Sequence, residues 1–205
     1  MMINPTIALI ERRISANLFD ASHELADAEI EELVRLATRA PTAYNLQNWR
    51  FIAVRSAASK DRLRALAYGQ SKVSSAAVTF IVCGVLPNAT GIPERLQPFI
   101  EAGHMRAEMS SAWQEGARAK YADPQAARDE AIRSASLGGA TLIYAAEALG
   151  FVSSAMSGFD EQGVANEFGL AREEVPVMLI PVGRAAPGNW PQKPRRPLSE
   201  VLQTL

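Results

Sequence analysis

One cysteine and two histidines are all the thiol and imidazole metal ligands this 205-residue chain has. A lone thiol, Cys83, closes no intrachain disulfide, and one Cys with two His does not supply a typical zinc site, so no metal is expected. Charge of one sign is lacking too. Lys and Arg total 21 against 22 Asp and Glu, a formal net charge of −1, which gives neither nucleic acid nor an anionic membrane a reason to bind. No apolar run approaches the length that spans a bilayer. Met1 to Arg13 lacks an apolar core followed by a small-residue cleavage pattern, so it does not read as a secretory signal. The expectation is a cytoplasmic protein. There is also no glycine-rich turn after a first strand, as a doubly wound nucleotide fold would show. No Ser/His/Asp or Cys/His arrangement suggests a nucleophilic enzyme.

What is present is a chain of 48% hydrophobic residues, long enough to bury a substantial core. No repeat, linker or low-complexity block divides it, and one domain over residues 1–205 is expected. Thr6 to Ser15 reads as a helix, with Ile7, Ile10 and Ile14 near one face. Asp27 reads as the N-cap of a second helix in which Ile30, Leu33, Val34 and Ala37 form a core-facing stripe. Phe51 to Val54, Val78 to Val85 (a buried strand holding Cys83) and Val177 to Gly183 read as strands. Asp61 to Ala67 reads as a short helix, Glu94 to Tyr121 as a long one, and Pro124 as the start of another that ends at Gly150, a natural C′ residue. Within it, Gly138-Gly139 implies close approach of another backbone or a flat ligand. From about residue 186 a proline-rich stretch, Pro187 to Pro197, reads as an extended arm. Composition and periodicity alone support a mixed sheet covered by helices.

Five short elements could hold a ligand. Arg13-Ile14-Ser15 pairs a fork-shaped guanidinium with a hydroxyl, a combination suited to phosphate, although Arg-x-Ser is common at solvated helix ends. Ala40-Pro41-Thr42-Ala43-Tyr44-Asn45-Leu46-Gln47-Asn48-Trp49 follows a helix that Pro41 ends, and it sets Thr42, Asn45 and Gln47 between rigid neighbours. Gln70-Ser71-Lys72 precedes the buried strand. Ala155-Met156-Ser157-Gly158-Phe159-Asp160 is a turn whose glycine allows close backbone approach. Lys193 and Arg195 lie in the arm. Each has an ordinary structural explanation: a solvated helix end, an exposed loop, a turn and cap, a charged tail. His23 reads as solvated, and Trp49 as a core anchor.

In order and spacing, together they resemble the nitroreductase family, FMN-dependent NAD(P)H oxidoreductases, from Glu11 to Leu198. The resemblance implies an α+β three-layer sandwich with a mixed, mainly antiparallel sheet, assembled as an intertwined homodimer whose arms (about 186–205) embrace the partner. It implies that Arg13 and Ser15, with Ile14 and Asn17 beside them, hold the FMN phosphate together with Lys193 and Arg195. It implies that Pro41, Thr42, Ala43, Asn45 and Gln47 touch the flavin, and that Lys72, with Gln70, meets the ring's pyrimidine edge. Ala155, Met156, Ser157 and Gly158 are then expected to present backbone near N5. No side chain is expected to be catalytic, since the flavin carries the chemistry. The implied activity is ping-pong hydride transfer from NAD(P)H to a small nitroaromatic or quinone. The Asn45-Leu46-Gln47 and Tyr68 to Val73 stretches look most like a bacterial branch linked to quinone stress. The Met156 to Asp160 turn also resembles the malonic semialdehyde reductase branch, which keeps reduction of a carbonyl or enal metabolite open, as does a non-enzymatic flavin-binding role. Asn17 stands where many members have a base, Asn48 where many have proline, and Ser157 where many have an acid.

Overall fold

The computed structural model describes residues 4–205; Met1 to Ile3 lie outside the described residues. Its centre is a four-stranded antiparallel sheet in the order β1-β2-β4-β3, built from β1 (Trp49–Val54), β2 (Val78–Val85), β3 (Val152–Ser153) and β4 (Glu174–Gly183). The strongly apolar β2 is central, as a strand buried on both faces must be. Its alternate residues serve two cores. Val78, Phe80 and Val82 join Leu33, Ala37 and Leu142 from helices α2 (Asp27–Ala37) and α7 (Pro124–Ala148) on one face. Ile81 and Cys83 join Leu63, Val73 and Val164 from α3 (Ala57–Leu66), α4 (Ser71–Ser75) and α8 (Glu161–Glu167) on the other. The result is helix, sheet, helix: the α+β sandwich expected. The parallel element of the expected mixed sheet is a single bridge, Ser15 to Ser153.

Several boundaries differ from expectation for local reasons. The first helix, α1 (Pro5–Arg12), stops at Arg12, and Arg13 is already extended, so Arg13 and Ser15 leave the helix and approach the sheet edge. Asp27 is not the N-cap of α2. Ala26 is, and its N–H donates to the Glu29 carboxylate 2.8 Å away, while Asp27 pairs with Arg55. The expected long middle helix is two: α5 (Ile92–Glu101) and α6 (Ala107–Lys120), broken where Gly103 adopts φ +76°. β4 begins before Val177 because a bulge opposite Val82 and Cys83 accommodates Pro176. Gly150 does take the left-handed C′ position (φ +82°).

Neither a backbone nor a flat ligand explains Gly138-Gly139. A Cβ at Gly138 would lie 3.0 Å from the Phe51 ring and one at Gly139 2.9 Å from Met178 Sδ, so the pair lets the sheet's side chains nest against α7. Trp49, expected as a core anchor, is half-buried beside Gly138, where a Cβ would lie 3.3 Å from its ring. The close backbone approach is at Gly84 instead, where a Cβ would fall 2.2 Å from the Ala131 carbonyl oxygen on α7. Gly84→Ala must push α7 off the sheet, and such overpacking costs about 1–3 kcal/mol. The expected outcome is a lower urea midpoint at unchanged slope.

Candidate functional site

At the corner where β3 meets the ends of β2 and β4, five separated segments converge. Ala16 donates its N–H to the Ser153 carbonyl (3.0 Å), holding the Arg13 to Asn17 segment against the sheet edge. Arg13 reaches back toward Ser15 Oγ at 3.5 Å. On the adjacent chain, buried Ser154 accepts from Lys72 Nζ at 3.1 Å, and Gln70 Nε2 donates to the Gly158 carbonyl at 3.0 Å. The arm returns by a short zipper: Asp20 N–H to the Arg184 carbonyl, Ala186 N–H to the Leu18 carbonyl. Asn189 completes it, accepting from Asn17 N–H (2.8 Å) and Leu18 N–H (3.0 Å) while donating to the Leu18 carbonyl at 2.7 Å.

The corner is cationic. Burial, and after it the nearby Lys193 ammonium, hold the Lys72 amine below the usual lysine range. Lys193 lies over the Trp190 ring, 5.9 Å from its centroid. Among the described residues no carboxylate lies within ion-pair distance of Arg13, Lys72, Lys193 or Arg195. Cations that repel each other with no acid between them fit an anion such as a phosphate or an electron-rich ring edge. Arg195 itself turns along the arm, toward the Lys193 carbonyl and Gln192 Oε1.

The Ala155 to Gly158 turn is only partly free to meet a ligand. Met156 exchanges both backbone hydrogen bonds with Leu179 at 2.9 Å and buries its side chain, so its N–H has no capacity left and Met156 is a sheet residue. Ala155, Ser157 and Gly158 remain exposed beside Gln70.

The second group lies elsewhere. In the Pro41 to Gln47 loop, Tyr44, Asn45 and Gln47 all take φ near +50°, costly for non-glycine residues and typical of functional sites. Thr42 Oγ1 accepts the Gln47 N–H (3.0 Å) and Asn45 Oδ1 accepts Gln47 Nε2 (3.2 Å), while Tyr44 packs edge-on against Trp113 and Tyr121. Asn48 ties the loop to Val85 at the far end of β2 through two hydrogen bonds. The first corner sits at the other end, beside Val78 and Val182, on the opposite edge. The length of β2 at ~3.3 Å per residue separates the two by about 23 Å. One subunit therefore does not bring all the predicted site residues together.

Ser154 and Asn189 were not found by sequence reasoning. A buried serine and a Pro-Gly-Asn turn carry no signal of their own. His23, expected in solvent, is half-buried against Phe151 with its Nδ1 unpartnered.

A helix–sheet–helix sandwich with an unneutralised cation cluster at a sheet corner defines a class of anionic-ligand-binding α+β proteins. Within it the assignment is specific: the nitroreductase family model matches residues 10–184, and the chain belongs to that family. It is 34% identical over 202 residues to "Putative NAD(P)H nitroreductase YodC" of Bacillus subtilis, covering 98% of each chain. It is 32% identical over 174 residues to a Thermus thermophilus NADH dehydrogenase, covering 84% of this chain and 83% of that one. An Exiguobacterium sibiricum protein crystallised in complex with FMN shares the fold, with TM-score 0.89, 23% identity, and 100% and 99% of the two chains covered. No helix among the described residues is long and apolar enough to cross a membrane.

Proposed function

We propose that this protein is an FMN-dependent oxidoreductase that passes hydride from NAD(P)H to a small electron-poor acceptor, nitroaromatic or quinone. The observation that carries this reading is the corner of unpaired cations, Arg13, Lys72 and Lys193, in a member of the nitroreductase family. When bound, FMN supplies the hydride relay, reduced by NAD(P)H and reoxidised by the acceptor in turn in the same space, which makes the kinetics ping-pong. A quinone then takes up a hydride and a proton to become a hydroquinone. A nitro group takes the same and leaves as nitroso plus water.

The protein's own residues bind and tune. Arg13, Ser15, Lys193 and Arg195 hold the phosphate, with Ile14 beside them and Asn17 fixed by the Asn189 clamp. Lys72, oriented by Ser154, meets the pyrimidine edge, and Gln70 fixes the Gly158 carbonyl so that Ala155, Ser157 and Gly158 line the ring. Thr42 and Asn45, with Pro41, Ala43 and Gln47 around them, reach the flavin of a second copy. The two corners then meet only across a homodimer. That assembly, one domain per chain over 1–205 with arms at 186–205, is part of the reading. So is a cytoplasmic location, supported by the single cysteine.

The test is direct. Purified protein is expected to be yellow and to release FMN, not FAD, on denaturation. Protein that stays colourless after incubation with micromolar FMN overturns the reading.

A further inference from the structure

Beside Asn45, away from the cationic corner, lies a cavity of about 510 Å³ lined by Asn45, Arg95, Leu96, Pro98, Phe99 and Trp113. Its walls are apolar and aromatic apart from one amide and one guanidinium. Arg95 has no carboxylate within ion-pair distance among the described residues, and its buried Nε has no hydrogen-bond partner. The guanidinium lies over Gly91, where a Cβ would come within 2.6 Å of Nη1, so the backbone leaves it room. A half-buried, unpaired guanidinium with an orphaned donor is costly unless something anionic completes it.

We propose that Arg95 determines acceptor specificity by pairing with the carboxylate of an aromatic or unsaturated acid whose flat body lies against Phe99 and Trp113. This rests on the FMN-reductase reading, because the cavity opens beside Asn45, which that reading places at the partner's flavin. Guanidinium and carboxylate match as a two-point fork, which fixes orientation as well as affinity. The apolar walls favour a compact organic acid over a nucleotide phosphate, whose ribose and second phosphate would find few polar partners there.

The experiment compares 4-nitrobenzoate with its methyl ester on the flavin-loaded protein, in wild type, Arg95→Gln and Arg95→Lys. The kcat/KM ratio within each protein is expected to favour the acid in wild type. It should fall about tenfold or more in Arg95→Gln and recover in part in Arg95→Lys. Calorimetric titration of benzoate into the same oxidised proteins is expected to show the same order of affinities. An equal ratio in wild type and Arg95→Gln, with equal benzoate binding, overturns the proposal. So does an Arg95→Gln variant that keeps the acid-to-ester ratio but loses discrimination between NADPH and NADH, since the guanidinium then reads a nucleotide phosphate. If neither acceptor is turned over, the reductase reading fails by itself, and the benzoate titration still decides the role of Arg95.

Discussion

Lys72→Ala is expected to lower the two-electron midpoint potential of the bound flavin by about 20–65 mV. The figure follows from one charge-assisted contact worth about 1–3 kcal/mol, at about 30 mV per 1.4 kcal/mol for two electrons. Reduced flavin carries negative charge at its pyrimidine edge, and an ammonium there stabilises the reduced form more than the oxidised one. The geometry makes Lys72 a strong candidate for this. Among the described residues its ammonium has Ser154 as its one hydrogen-bond partner, and burial with Lys193 nearby disfavours its charged form. The sign follows. In the flavin-free protein the cation is destabilising, and that cost is full at neutral pH, starts to shrink as pH passes the lowered folded value and is gone above the ordinary lysine range. An anion at the ring edge reverses it. Removing the lysine is therefore expected to spare the fold while slowing reduction by NAD(P)H. Lys193→Ala is expected to weaken FMN retention with little change in potential. Potentiometry on the flavin-loaded variants checks both, and an unchanged potential in Lys72→Ala rules out the assignment.

Removal of residues 197–205 is expected to convert the proposed dimer into a monomeric or aggregating protein with depleted flavin, although Arg13, Lys193 and Arg195, the cations proposed for the phosphate, are retained. Beyond the Asn189 clamp the arm makes no regular structure except one turn at Leu198–Glu200. Leu198, Val201 and Leu202 stand 74%, 59% and 64% exposed. Full burial of each against a second copy is worth roughly 1.5–3 kcal/mol, and apolar side chains clustered at a chain end mark a contact surface. Cutting after Pro191 also removes Lys193 and Arg195, so it should lose flavin more completely than the shorter truncation. Light scattering and the visible spectrum separate the two variants. A flavin-replete dimer lacking 197–205 shows that the arm does not hold the partner.

Much of the sandwich was legible because its signals are local. The stripe Ile30, Leu33, Val34 and Ala37, the uninterrupted apolar β2, and Pro124 with Gly150 as the ends of α7 each carry a physical reason within a few residues. What escaped depends on distant partners. The Ala26 cap needs Glu29 reaching back. Pro176 enters a strand only because β4 bulges at Val177, opposite Val82 and Cys83, and β3 is two residues long. The site behaved the same way. The elements around Arg13, Lys72 and Lys193 meet as expected, whereas Met156 is taken up by Leu179, and the Pro41 to Gln47 loop sits at the opposite corner. Spacing along a chain does not record how far apart the fold sets two of its loops.

The placement of Cys83 has a chemical consequence for a protein of this kind. Quinones and activated enals are electrophiles that add to thiolates, and an enzyme that gathers them exposes its own sulfur to arylation. Here the only thiol is fully buried in β2. Burial in the first place, and the Glu174 carboxylate after it, push its pKa up to about 12. It is neither ionised nor reachable. The quinone-type acceptors proposed above therefore meet no exposed thiol to arylate.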